Sequence, residues 1–128
     1  MAIILDIRLE SEFLNVGAMG EFSLQEAKRT FLEMLEAVAR YKVEKVLFDG
    51  RSLTGAPDTM ERFYYGEFAA DSVFKFRDRG VSPYTTFAYV LKEPVLDPLR
   101  FGETVAVNRG MRVKVFDNLE DALRWLAD

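Results

Sequence analysis

Val46-Leu47-Phe48 is a short apolar run that passes directly into Asp49-Gly50-Arg51-Ser52-Leu53-Thr54-Gly55, and this junction constrains the chain more than any other stretch. An apolar run without alternation is what a strand needs when both its faces are covered, as in a parallel sheet. The pattern predicts a buried strand over about 44–49, a turn at Asp49-Gly50 and a polar loop. A helix then opens at Pro57, whose missing N–H costs nothing at a first helical position. Gly50 and Gly55 read as positions whose backbone angles other residues resist. Sites in open α/β sheets gather at the carboxyl ends of strands, so the loop 50–59 is the place to look.

The flanking segments support that frame. Ile3 to Leu9 starts apolar and then alternates, and Phe13 to Met19 reads as a second strand ended by Gly20, so the two form an opening hairpin around Glu10-Ser11-Glu12. Ser23-Leu24-Gln25-Glu26 is a capping box: the serine oxygen takes an N–H and the glutamate reaches back. Ala27, Phe31, Met34, Leu35 and Val38 then recur on one helical face, opposite Lys28, Arg29, Glu33, Glu36 and Arg40, which predicts a helix over about 24–41.

A second helix is expected over about 57–78. Its Met60, Phe63, Tyr64, Tyr65, Phe68, Ala69, Ala70, Val73, Phe74 and Phe76 spread around most of the circumference. Either the helix is wedged between sheet and neighbours, or part of this surface meets a second copy, a partner or an apolar ligand. Gly66 at its middle points to close approach of another element, at about 1 kcal/mol of helix propensity relative to Ala. Gly80 closes it as a left-handed cap. Thr85 to Leu91 reads as a central strand. Asp97-Pro98 opens a short helix that ends at Arg109-Gly110. Met111 to Phe116 is a strand with Val113 and Val115 inward, and Asn118 caps a last helix packing Ala122, Leu123, Trp125 and Leu126.

The order is β-β-α-β-α-β-α-β-α. It predicts an α/β fold in one domain over 1–128, a mixed β-sheet of about five strands with four helices and right-handed crossovers between parallel neighbours.

Composition excludes more than it names. Among the 128 residues there is no cysteine and no histidine. Disulfides, thiolate nucleophiles, Ser-His-Asp catalysis and the usual zinc ligands are therefore ruled out. Net charge is −4, which disfavours a nucleic-acid partner, because the phosphate backbone asks for a basic face. No apolar run is long enough for a membrane span, and a cytoplasmic location is the expectation. No cofactor is implied. Asp-Gly-Arg-Ser-Leu-Thr-Gly lacks the G-x-x-x-x-G-K-[ST] pattern of a phosphate-binding loop.

The order of motifs resembles the STAS superfamily, the fold of anti-sigma-factor antagonists and of sulphate-transporter cytoplasmic domains. It is most similar to the uncharacterised SpoIIAA-like group structurally linked to CRAL-TRIO lipid-binding domains. Carrying the likeness are Ser23-Leu24-Gln25-Glu26-Ala27, Phe48-Asp49-Gly50-Arg51 with Leu53-Thr54-Gly55, the run Arg100 to Gly110, and Phe116-Asp117-Asn118 with Ala122 and Trp125-Leu126. The resemblance implies a non-enzymatic regulatory or protein-interaction domain. The CRAL-TRIO relatives use longer chains to close an apolar pocket, so a groove or shared pocket is expected here. In anti-sigma antagonists the loop after this strand carries Asp-Ser-Ser-Gly, with a serine phosphorylated by the partner kinase. Here that segment reads Ala56-Pro57-Asp58-Thr59-Met60; Thr59 falls nearest and Ser52 and Thr54 are within reach, but the motif is absent.

Three constellations follow. Asp49, Gly50, Arg51, Ser52, Thr54 and Thr59 form a candidate ligand or partner loop, with Arg51 able to take an anion or simply stay solvated. Tyr64, Tyr65 and Phe68 form a candidate apolar surface: a cavity beneath them favours a ligand, a flat exposed patch favours a homodimer or partner. Arg100 and Arg109 are candidate anion contacts, against the alternative that Arg100 pairs with Glu103 and Arg109 offsets a helix dipole.

Overall fold

The computed structural model describes residues 2–128. Strands β1 (Ile4–Leu9), β2 (Leu14–Glu21), β3 (Lys45–Thr54), β4 (Thr86–Val90) and β5 (Arg112–Phe116) lie side by side in that order. β1 and β2 are antiparallel; every later neighbour is parallel. Helices α1 (Leu24–Tyr41), α2 (Thr59–Lys75) and α3 (Phe101–Asn108) form the crossovers, and α4 (Leu119–Ala127) follows β5. A 3₁₀ turn, Phe76–Arg79, completes α2 before Gly80 takes the left-handed conformation at φ 100°.

Because each crossover moves one place along the sheet with the same hand, α1, α2 and α3 share one face. Phe31, Met34 and Val38 of α1 pack there with Leu14, Val16, Val46 and Phe87. The other face is covered by α4, whose Ala122 and Leu126 meet Leu47, Ala88, Val90 and Phe116. Alternate residues of β3 and β4 thus go to opposite cores, as their unbroken apolar runs require. Each fully buried large side chain contributes about 1.5–3 kcal/mol.

Several boundaries differ from expectation. β3 does not end at Asp49. It continues to Thr54 beside an equally extended β2, with Gly20 opposite Leu53 and Glu21 opposite Thr54. Gly20, expected to end β2, therefore lies inside it. Gly50 is not a turn residue; a Cβ there would come within 2.7 Å of Leu91 and 3.0 Å of Phe48. Crowding by the ends of neighbouring side chains, not backbone angle, is what favours glycine there. Gly55, with φ 106°, does take the left-handed conformation.

Helix starts also differ. Ser23 Oγ accepts the Glu26 N–H at 3.2 Å, but Glu26 does not reach back: it takes the Ile3 N–H at 2.9 Å and pairs with Arg29. The reciprocal box stands at α2, where Asp58 accepts the Glu61 N–H at 2.8 Å and Glu61 accepts the Asp58 N–H at 3.0 Å. Pro57 precedes that cap. Asp97-Pro98 does not open α3; the Asp97 carboxylate holds a turn through the Leu99 and Phe101 N–H groups, and α3 starts after Arg100 at φ 53°.

Candidate functional site

α2 carries its buried face on small residues: Gly66, Ala69, Ala70, Ser72 and Val73. The aromatic side chains surround that strip instead of forming one surface. Tyr64 is 43% exposed and meets Phe63 edge-on. Phe68 is half-buried with the Lys28 ammonium 5.3 Å above its ring. Tyr65 points inward. Tyr64, Phe68 and Tyr65 fall within one arc of the helix and step from exposed through half-buried to inward-facing, so only Tyr65 reaches the interior.

Small residues on α2 let it approach α3 closely. At Gly66 a Cβ would stand 2.5 Å from the Gly102 carbonyl oxygen. Between α1, α2, α3 and the carboxyl ends of β3 to β5 lies a cavity of about 130 Å³. Phe48 and Tyr89 form part of its floor, stacked at 4.5 Å, and Ala27, Ala69 and Ala106 form parts of its wall. Gly50 keeps the neighbouring space free for Phe48 and Leu91, which also line it.

Two phenols converge in this apolar space. The Tyr65 and Tyr89 hydroxyls are 2.7 Å apart, and Tyr65 also meets Phe31 edge-on at 6.0 Å. Burial raises both phenols above their ordinary value, so both stay protonated at neutral pH. In the run Thr85 to Leu91 nothing about residue type sets Tyr89 apart. Its signal was position: it lies two residues beyond Phe87 on the sheet face that Val46 and Phe48 share.

The charged groups around the cavity are committed to backbone. Arg62 donates to the Val95 and Pro94 carbonyls at 2.7 and 2.8 Å. Burial pushes the Asp97 carboxyl up, but the Phe101 and Leu99 N–H groups and the Arg62 charge outweigh it and hold it below its ordinary value. Arg100 and Glu103 do not pair with each other. Arg100 donates to the Val115 carbonyl and Glu103 accepts the Val115 N–H, together closing the outer edge of β5. Arg109, at the far end of α3, pairs with Glu67 at 3.3 Å, so the two arginines share no anion site.

Asp49 and Arg51 lie on the sheet away from the cavity. The Asp49 carboxylate accepts the Arg51 backbone N–H at 3.2 Å and its guanidinium twice, at 2.9 and 2.7 Å. These Arg51 hydrogen bonds hold the Asp49 carboxyl below its ordinary value. Ser52 is an exposed strand residue and Thr54 donates weakly to the Gly20 carbonyl at 3.4 Å. Thr59, first in α2, borders a neighbouring depression with Leu99 and Phe101, which shares Pro57, Arg62 and Asp97 with the cavity. The expected loop is thus split between the end of β3 and the start of α2. Among the described residues no acidic group converges as a metal site. No described helix is long and apolar enough to cross a membrane.

This sheet order, with three crossover helices on one face and a terminal helix on the other, is a SpoIIAA-like fold. The chain is similar to the crystal structure of an anti-sigma factor antagonist from Mycobacterium paratuberculosis, with TM-score 0.62 and 14% identity over 99% of this chain and 96% of that one. It is also similar to an uncharacterized DUF3478-family protein with a SpoIIAA-like fold from Shewanella loihica, with TM-score 0.50 and 20% identity over 98% and 93%. No family model matches the chain, and no curated protein matches it in sequence.

Proposed function

We propose that this chain is a non-enzymatic regulatory binding domain whose working site is the apolar cavity beneath α2. The observation that carries the reading is the placement of about 130 Å³ of apolar space at the carboxyl ends of parallel strands. That is where ligands bind in open α/β sheets. A small apolar ligand there would press on α2 and α3 and change the surface they present. The non-catalytic reading rests on the state of the nearby groups. Two phenols are kept protonated, and the Asp97 and Glu103 carboxylates are each engaged with backbone N–H groups.

Native mass spectrometry of protein purified gently from its own cells tests this. A mass excess that disappears on denaturation is the expected result. Bare protein whose Ala27, Ala69 and Ala106 resonances also ignore xenon under pressure overturns it.

A second reading is a protein partner, favoured by the fold shared with a protein named as an anti-sigma factor antagonist. The surface for it is the end of β3 and the start of α2: Asp49, Gly50, Arg51, Ser52, Thr54 and Thr59. Self-association through the exposed Tyr64, Leu99 and Phe101 belongs to the same reading. Light scattering tests that form: a two-chain mass lost on Tyr64→Ser with Phe101→Ser supports it, and a one-chain mass at high concentration removes it.

A further inference from the structure

Resting on the cavity reading, we infer that the ligand is a compact, neutral, apolar molecule with one hydrogen-bond acceptor, such as an aryl or short-chain ketone, aldehyde or ester, and not a fatty acid or other long lipid.

Size is the first argument. A cavity of about 130 Å³ is close to the ~150 Å³ at which an apolar protein cavity accommodates a benzene ring. It is well below the roughly 300–1,000 Å³ of sites for drug-sized ligands. A space of that size does not enclose a long acyl chain.

Proton counting is the second. A phenol has one proton to donate. In the Tyr65–Tyr89 pair one hydroxyl donates to the other, so the second proton remains available. The remaining lining hydroxyl, on Thr30, is spent on the Glu26 carbonyl at 2.9 Å. The cavity therefore offers one neutral O–H donor amid apolar walls.

Charge is the third. A buried carboxylate needs a cation or several donors to offset its desolvation. The two cationic side chains that line the cavity are held in place by carbonyls, Arg62 by Pro94 and Val95 and Arg100 by Val115, and the two carboxylates in the same lining, Asp97 and Glu103, match their charge. Glu103 and Asp97 make the surroundings more hostile to an anion. A neutral carbonyl, by contrast, needs only the single donor present.

The test is an NMR titration of the full chain with four probes: acetophenone, its near-isostere cumene, benzoate and palmitate. Each is repeated on the Tyr65→Phe/Tyr89→Phe double variant. Removing both hydroxyls together leaves neither one buried without its partner, so the variant folds. Acetophenone and cumene are expected to shift the amides of Ala27, Ala69 and Ala106. The double variant should lose about five-fold in affinity for acetophenone, the worth of one neutral hydrogen bond, and none for cumene. The carbonyl stretch of bound acetophenone should move to lower frequency in the wild-type chain, a readout that needs no variant. Equal acetophenone affinity in both proteins with an unshifted stretch overturns the acceptor inference and leaves the apolar cavity standing. Benzoate or palmitate binding tighter than acetophenone overturns neutrality or compactness respectively. No response to any probe overturns the cavity reading itself.

Discussion

Gly66 of α2 and Gly102 of α3 face each other so closely that a Cβ on Gly66 would stand 2.5 Å from the Gly102 carbonyl oxygen. The obstacle is backbone and cannot rotate away. Gly66→Ala gains about 1 kcal/mol in helix propensity but forces the helices apart. A net destabilisation of about 1–3 kcal/mol is expected from urea unfolding. Gly102→Ala, whose Cβ would be 3.1 Å from the Arg62 carbonyl oxygen, should cost less. Equal stability of Gly66→Ala and wild type would show that α3 yields freely.

Alkaline pH reports the phenol pair. Burial raises Tyr65 and Tyr89 above the ordinary value of 10.0. The folded state therefore keeps protons that the unfolded chain releases. The resulting stability is fully present below pH 10 and is lost as pH rises above it. Denaturation midpoints should fall steeply over that range, and the fall should be much shallower in Tyr65→Phe/Tyr89→Phe. Parallel curves for the two proteins would place the alkaline transition elsewhere.

At the β5 edge, Glu103 holds the Val115 N–H and Arg100 the Val115 carbonyl. Glu103→Ala frees the N–H on an edge strand. The expected cost is about 1–3 kcal/mol, with a rise in self-association by light scattering, because open edges pair with other chains. Glu103→Gln keeps an acceptor and should remain monodisperse to the same degree as wild type.

The Asp49–Arg51 pair is half-exposed and away from the cavity. Asp49→Asn should cost no more than about 1 kcal/mol. The Asp49 carboxyl lies below its ordinary 3.8 in the folded chain, so its contribution is present above that pH and is lost as pH falls below it. The variant should bind apolar probes as wild type does. A change in cavity affinity would link the two faces of the sheet.

How much was legible depended on whether one signal had one physical meaning. α1 was readable from end to end because its apolar spacing and Ser23 cap agree. The sheet order followed from alternating strands and helices, and parallel pairing of β3 with β4 from unbroken apolar runs. Gly50 misled because glycine serves both turns and crowded contacts; only the packing of Leu91 and Phe48 distinguishes them. Arg100 and Glu103, three apart, fit an intrahelical pair equally well, and the edge of β5 that claims both is distant in sequence. The apolar site was half-visible: Tyr65 stood out, while its partner Tyr89 and the wall from α1 and α3 depend on tertiary placement.

The parallel arrangement has a kinetic consequence as well. Leu14 must find Val46, Lys45 must find Thr86, and Thr86 must find Arg112, each across an intervening helix. Only the β1–β2 hairpin can pair through nearby residues. Closing those long loops comes before the contacts that reward it, so this chain should fold more slowly than a helical bundle of its length. Until the later strands dock, the cavity has no floor.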